Sequence, residues 1–257
     1  MVLEYKNVTK KFNGLCAVDD VSFYIDKNEV VGIVGPNGSG KTTCFNLITG
    51  IYPVTEGEIL FHGENIENHK PHEISRKGIA RTFQISSVFP NLSVTQNIIT
   101  AQYNNYRSGF FTDMIAPKRI RHCEKEAVER SRELLDYVGL GGFGDKTAKT
   151  LTAADQRRLM VAIALATSPK LLLLDEPCAG MNYDEQIAMV KLIRDVCEDG
   201  TPVLLVEHHM RMIMNVCDRV IVLNLGRKIA EGEPQEISQN KDVIEAYLEG
   251  IKKDAED

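Results

Sequence analysis

The sequence predicts an α/β protein: a mostly parallel sheet with a β-rich N-terminal part and one long helical insertion. Three observations carry this. Short apolar runs such as Glu29 to Val34, Leu171 to Leu174 and Val203 to Val206 end at turn residues, as buried strands do. Helix-length amphipathic stretches alternate with them, and that order implies parallel strands joined by helical crossovers. From about residue 85 to 160 the period-two pattern disappears and helical spacing takes over.

In chain order, the first 65 residues read as β-rich, with Val18, Val21, Phe23 and Ile25 near period-two alternation and Asn13-Gly14 as a turn signal. The strand Glu29 to Val34 runs into a glycine-rich loop and a helix, KTTCFNLIT, stopped by Gly50. Residues 57 to 63, GEILFHG, return to strand spacing. In the helical stretch, Ser93-Val94-Thr95-Gln96 is a capping-box signature ahead of Ile98 and Ile99. Ala127, Leu134, Leu135 and Val138 mark an amphipathic helix over 123–138 that ends at Gly139. A helix over about 156–167, the strand from Leu171, and a helix over about 184–198 follow. The last places Ile187, Val190, Ile193 and Cys197 on one face. After the strand from Val203 come a short helix, a strand pair around VIVLNLGRKIAEG, and a C-terminal helix with a charged tail.

Bulk properties narrow the function classes. The chain has 257 residues, 43% of them hydrophobic and 26% charged, an ordinary globular balance. Thirty basic against 36 acidic residues leave a net charge of −6, which gives no support to general nucleic-acid binding. No apolar run approaches the roughly 20 residues of a membrane-spanning helix. The N-terminal stretch lacks the apolar core of a secretory signal, so a cytoplasmic location is expected. Six cysteines are scattered without a C-x-x-C pair and are expected to be reduced thiols.

Three strand ends carry the chemistry. Gly35-Pro36-Asn37-Gly38-Ser39-Gly40-Lys41-Thr42 fits G-x-x-x-x-G-K-[ST] between a strand and a helix. Glycines let successive N–H groups curl around phosphate oxygens, and the following helix offers its positive end. Lys41 is expected to reach the β and γ phosphates, the Thr42 hydroxyl to ligate Mg²⁺, and Thr43 to belong to the same nucleotide site. Leu171-Leu172-Leu173-Leu174-Asp175-Glu176 delivers two carboxylates: Asp175 for Mg²⁺ and Glu176 to polarise the attacking water. Leu204-Leu205-Val206-Glu207-His208-His209 ends beside them, with His208 placed to organise that water. Gln84, in Arg81-Thr82-Phe83-Gln84, is a further candidate for Mg²⁺ or water. Zinc binding by His208 and His209 is disfavoured because strand neighbours face opposite ways.

These motifs, in this order, resemble the ATP-binding-cassette (ABC) ATPases over about residues 3–250. Within that superfamily, ITGIYPVTEGEI, GIARTFQ, the helical stretch through RSGFF, ADQRRLMVAIA, DEPCAGMN and DVIEAYLEG are similar to the G-type ATP-binding subunit of branched-chain amino acid importers. The resemblance implies a P-loop NTPase cassette with a RecA-like core, an antiparallel β subdomain and an inserted α-helical subdomain. Core and β subdomain are expected over about 1–84 and 160–235, the helical subdomain over about 85–159, and a C-terminal helix and tail over about 236–257. It implies ATP and Mg²⁺ as cofactors, and Thr42, Gln84 and Asp175 around the metal. It also implies an adenine-stacking aromatic at Phe12, with Tyr5 as the weaker candidate.

In the same family pattern two cassettes close head to tail over two ATP molecules. The signature loop, Leu151-Thr152-Ala153-Ala154-Asp155, then contacts the ATP held by the partner. That pattern reads Leu-Ser-Gly-Gly-Gln, so Ala154 stands where a glycine approaches the γ-phosphate. If residue 154 has helical φ the alanine is tolerated, and if it needs φ > 0 the methyl hurts. Asn182 lies in the loop after Glu176 where many cassettes carry Asp. Ile85 to Leu92 is similar to the groove that receives a permease coupling helix, although Val88, Phe89 and Leu92 suit a core equally well.

The implied partners are two transmembrane permeases, a second cassette and, indirectly, an extracytoplasmic solute-binding protein. A different second chain is expected, with a homodimer as the alternative. The implied location is the cytoplasmic face of the membrane. A cargo of urea, short amides or another small solute remains open, as does an ATP-gated clamp with weak turnover.

Overall fold

The computed structural model describes residues 1–82, 88–102, 117–207 and 210–254. Its contacts divide the chain into two units, the first made of Met1–Arg81, Lys170–Pro177 and Gln186–Asp257, the second of Thr82–Pro169 and Cys178–Glu185.

The first unit contains two sheets. One is antiparallel, in the order β2 (Leu15–Ile25), β1 (Leu3–Phe12), β4 (Glu56–Phe61), β5 (Glu64–Asn65). The alternation read from the sequence holds from Val21 to Ile25, whose side chains are buried at every second position. It slips before that because Asp19 and Asp20 together oppose Thr9. Asp20 adopts φ 52 there, and its N–H donates to Thr9 Oγ1 at 3.0 Å, which makes a β-bulge.

The other sheet has the order β10 (Arg227–Gly232), β9 (Arg219–Asn224), β3 (Val30–Val34), β8 (Val203–Val206), β7 (Leu171–Asp175), β6 (Ile79–Arg81). Five strands are parallel and β10 is an antiparallel edge. β3, β7 and β8 are buried at every position, which is why they read as continuous apolar runs rather than alternating ones. The short strand β6 and the helix α2 (Pro71–Lys77) were not foreseen, being only three and seven residues long. One hydrophobic core joins the two sheets through Tyr5, Phe23, Ile59 and Phe61 on one side, Ile33, Leu173 and Leu204 on the other, and Phe45 and Leu47 of α1 (Lys41–Ile48). Each fully buried aliphatic side chain of this kind contributes about 1.5–3 kcal/mol.

The second unit is helical: α3 (Val94–Gln102), α4 (Pro117–Tyr137) and α5 (Ala153–Leu165). The capping box at α3 forms as read, with Gln96 N–H donating to Ser93 Oγ at 3.1 Å and Ser93 N–H to Gln96 Oε1 at 2.9 Å. α3 and α4 are also pinned by a buried polar contact, in which Gln102 Nε2 donates to Ser131 Oγ at 2.9 Å and to Ala127 O at 3.2 Å. The remaining helices are α6 (Tyr183–Glu198), α7 (Met210–Val216), α8 (Pro234–Gln239) and α9 (Lys241–Asp254).

Two expectations are corrected. α5 begins at Ala153, not near 156, because Thr152 caps it. α6 buries Met189, Leu192, Ile193, Val196 and Cys197, while Ile187 is exposed. The sequence offered two overlapping i, i+3, i+4 stripes on that helix, and the one through Met189 packs.

Candidate functional site

The strand ends and the loop after β3 meet at one edge of the parallel sheet, where ligands of such sheets gather. Gly35 through Lys41 wraps the start of α1. Two glycines are required there. A methyl at Gly35 would stand 2.1 Å from Leu223 O, and one at Gly40, which has φ 103, would stand 2.6 Å from Ala17 O. Both clashes are with backbone, so neither can relax cheaply. Lys41 is the first residue of α1 and is buried, and its Nζ donates to Gly35 O at 2.8 Å and Pro36 O at 2.9 Å. Burial lowers its pKa, and the nearby Glu176 and Asp175 carboxylates oppose that by favouring the cation. The first turn of α1 has no acidic residue and no side-chain cap.

The Ser39 hydroxyl is 2% exposed as a residue and finds no hydrogen-bond partner among the described residues. An orphaned buried hydroxyl beside a buried ammonium and two glycine cradles fits a phosphate chain. For Mg²⁺ the donor chemistry also fits: the Thr42 hydroxyl and the Asp175 carboxylate are hard oxygen ligands.

Asp175 closes β7 and is buried, and its Oδ2 accepts from Arg81 Nη2 at 2.8 Å. Glu176 follows with φ 47, a left-handed conformation that a non-glycine residue rarely takes, fixed by its N–H donating to Val206 O at 3.0 Å. Such strain costs about 1–2 kcal/mol and collects at functional positions. Glu207, at the end of β8, is a fully buried carboxylate. The sequence reading passed over it in favour of the adjacent histidines. Gln84 and His208, both assigned roles from the sequence, lie outside the described residues, as does His209.

Beside the loop lies a depression of about 360 Å³ lined by Leu15, Cys16, Ala17, Leu225 and residues 38–43, which include Gly38, Ser39 and Thr43. Its apolar wall is aliphatic, since Leu15 and Leu225 are 70% and 71% exposed. Phe12 does not line this depression. It packs edge-on against Tyr52 with ring centroids 5.1 Å apart, under Lys10 Nζ at 4.8 Å. Tyr5 is a core residue, 1% exposed and stacked on Phe23 at 4.6 Å, which removes it as an adenine platform. One neighbour had no sequence signal: the Tyr247 phenol on α9, whose pKa burial raises and the nearby Gly35 backbone lowers.

In the second unit Leu151 is buried and Thr152 is the N-cap of α5, accepting from Asp155 N–H at 3.1 Å while its own hydroxyl donates to Asp155 Oδ2 at 2.9 Å. Ala153 and Ala154 are the first helical residues, and Ala154 is 5% exposed. The alternative that residue 154 needs a positive φ is therefore excluded. Thr-x-x-Asp before an apolar run was a readable capping signal. Asn182 is a cap as well. Its Oδ1 accepts from Glu185 N–H at 3.0 Å and its N–H donates to Glu185 Oε2 at 2.9 Å, so Asn serves as well as Asp there. Phe89 is 56% exposed, and Val88 and Leu92 are half-buried. No helix among the described residues is long and apolar enough to cross a membrane.

Comparison with known proteins gives a consistent result. Residues 18–179 match the family model for ABC transporters, and residues 227–248 match a model for branched-chain amino acid ATP-binding cassette transporters. The chain is 39% identical over 248 residues, 96% of its length and 97% of the relative's, to the high-affinity branched-chain amino acid transport ATP-binding protein BraF of Pseudomonas aeruginosa. It is 38% identical, over the same shares, to the corresponding LivG protein of Salmonella typhimurium. Among solved structures, an ATP-binding cassette of an ABC transporter in its ADP conformation superimposes with a TM-score of 0.85 at 28% identity, covering 96% of this chain and 98% of that one.

Proposed function

Because this chain belongs to the ABC transporter family of ATP-binding cassettes, we propose that it hydrolyses ATP to power import of branched-chain, hydrophobic amino acids. The observation that carries the ATPase reading is the joint geometry of the phosphate loop and the β7 end. The buried Lys41, two residues after the unpartnered Ser39 hydroxyl, sits within electrostatic reach of Glu176 and Asp175. The cargo reading rests on the full-length likeness to BraF and LivG and on the match over residues 227–248.

In this mechanism the N–H groups of Gly35 and of residues 37–43 and the Ser39 hydroxyl hold the phosphate chain, which Pro36 shapes without donating, and Lys41 turns from the Gly35 and Pro36 carbonyls to the β and γ phosphates. Glu176 accepts the proton of the attacking water, with His208 and Gln84 orienting that water. Thr42, Asp175 and Gln84 would hold Mg²⁺, which would supply positive charge to offset that of the phosphates. The adenine ring reaches the depression flanked by Leu15 and Leu225, with Phe12 as the aromatic candidate next to it. The signature loop, Thr152 to Asp155, serves the ATP of a second cassette, here a different chain. Closure and reopening of the cassette pair drive two permeases at the cytoplasmic face, and an extracytoplasmic binding protein supplies the cargo.

The test is ATP hydrolysis and labelled leucine uptake by the chain assembled with its permeases in vesicles, with Glu176→Gln as control. Expected are ATP-dependent uptake and a loss of turnover of at least about a hundredfold in the variant. Hydrolysis without leucine uptake, but with uptake of urea or a short amide, would move the cargo and keep the ATPase. Absence of hydrolysis in the full assembly would leave only a nucleotide-gated clamp.

A further inference from the structure

Arg81 ends β6 and is one of the most enclosed charged residues of the first unit: its side chain is 6% exposed and that of Asp175 4%. Register places Arg81 beside Leu173, so its side chain reaches along β7 to Asp175. The guanidinium spreads over two elements. Nη2 donates to Asp175 Oδ2 at 2.8 Å, Nη1 donates to Asn46 Oδ1 at 2.7 Å on α1, and the group lies over the Phe45 ring at 5.4 Å. A planar fork can hold two partners in fixed directions in this way, and an ammonium cannot.

Asp175 has a second cation within electrostatic reach. It and Glu176 both act on the buried Lys41 ammonium, opposing the effect of burial. Of these four groups, two are cations and two are carboxylates. Arg81, Asp175 and Lys41 are enclosed, so solvent screens them weakly and the pairing that forms decides which charges remain available to a ligand. In the structure Asp175 pairs with Arg81, while Lys41 rests on two neutral carbonyls, Gly35 O and Pro36 O. A carbonyl gives up an ammonium to phosphate far more readily than a carboxylate does.

We propose that Arg81 is a positioning residue: it is the standing counter-ion that keeps Asp175 from pairing with Lys41, so that Lys41 stays available to phosphate. The idea rests on the nucleotide-site reading above and adds a role that the sequence motif does not assign. Without the guanidinium, Lys41 is a cation within electrostatic reach of Asp175, and a pair between them would draw the ammonium off the phosphate loop. The fault would appear in nucleotide binding with no metal present, before any catalytic step. A purely structural ion pair would instead lower thermal stability and leave the affinity of the folded protein unchanged.

The experiment titrates purified protein with a fluorescent ADP analogue in EDTA, at a temperature where circular dichroism shows every variant folded. Expected is an affinity loss of about tenfold for Arg81→Met, recovery to within about twofold of wild type in Arg81→Met/Asp175→Asn, and no more than about threefold loss in Arg81→Lys, which keeps the cation. If Arg81→Met does not fold, Arg81→Gln, which can keep a hydrogen bond to Asn46 but not the charge, carries the same expectation. Wild-type-like affinity in Arg81→Met, or a double variant as weak as the single, would overturn the proposal. Failure of the wild type itself to bind the analogue would overturn the nucleotide-site reading beneath it.

Discussion

Ala154→Gly is the most instructive substitution, because sequence and structure give it opposite meanings. Read as a departure from Leu-Ser-Gly-Gly-Gln, restoring glycine should free the loop and raise turnover of the assembled complex. The structure puts Ala154 at the second helical position of α5 with its residue 5% exposed. Glycine there costs helix propensity of about 1 kcal/mol at most, less in a first turn, and removes a buried methyl worth about 0.8 kcal/mol. The sum is about 1–2 kcal/mol of lost stability, or roughly 2–6 °C in melting temperature for a chain of this size. The methyl is packed away from solvent, so it does not screen the backbone N–H from a phosphate. Turnover of the complex is therefore expected to stay within about twofold of wild type. The assays are urea and thermal unfolding of the isolated chain, then ATP hydrolysis by the assembly. A neutral or stabilising effect together with a threefold or greater rise in turnover would refute the reasoning.

The remaining predictions follow from single contacts. Thr152→Ala removes the cap of α5 and should cost about 1 kcal/mol in urea unfolding, with Thr152→Ser close to wild type. Cys16 lines the depression beside the phosphate loop, so Mg-ADP should slow its labelling by a thiol reagent, while the half-buried Cys123 should label at the same rate with or without nucleotide; equal protection of both would contradict the placement. Burial pushes the Cys44 thiol up to about 12 and Cys197 to about 11. Since these folded-state values exceed that of an unfolded thiol, about 8.5, the stabilisation is complete below pH 8.5 and is lost as pH rises, by about 1.4 kcal/mol per pH unit for Cys44 between 8.5 and 12. Unfolding in urea at pH 8 and pH 10 measures this, and Cys44→Ala should flatten the slope. Tyr247→Phe removes the phenol oxygen that neighbours the Gly35 backbone and should weaken nucleotide binding about two- to fivefold, with far-ultraviolet circular dichroism unchanged.

The parallel sheet and the phosphate loop were legible in the sequence because burial on both faces leaves runs such as Leu171-Leu172-Leu173-Leu174, and because steric demands at Gly35 and Gly40 admit no other residue. The missing elements were short. β6 has three residues and is held by pairing with β7, a long-range fact with no local periodicity. On α6 the face read from the sequence is only partly buried: Ile193 and Cys197 pack, Val190 is half-buried and Ile187 is exposed, because the packed stripe runs through Met189, Leu192 and Val196. Phe12 was read as an adenine platform from its place in a pattern. Its edge contact with Tyr52 comes from a residue 40 positions away and cannot be read locally, whereas Lys10, which covers the ring, is its neighbour on β1. The Arg81 pairing was invisible for the same reason: 94 positions separate it from Asp175.

The two adjacent carboxylates also acquire distinct characters that the dipeptide Asp-Glu does not contain. Asp175 is enclosed, extended and tied to a guanidinium, so its orientation is set before any ligand arrives. Glu176 is less enclosed, stands on a left-handed backbone and acts electrostatically on Lys41. A metal ligand benefits from an oxygen whose direction is fixed before the metal arrives. A base that must take up and release a proton each cycle benefits from weaker pairing and access to water. Exchange of the two roles would require Asp175 to lose its guanidinium partner, and the sheet register, which sets Arg81 beside Leu173 and Asp175 beside Val206, prevents this. Accordingly Asp175→Glu should fail as badly as Asp175→Asn in Mg²⁺-dependent nucleotide binding, because the longer side chain cannot meet Arg81 and keep its place at the strand end. Retention of Mg²⁺-dependent binding within about threefold of wild type would show that the guanidinium pairing does not set the orientation of this carboxylate.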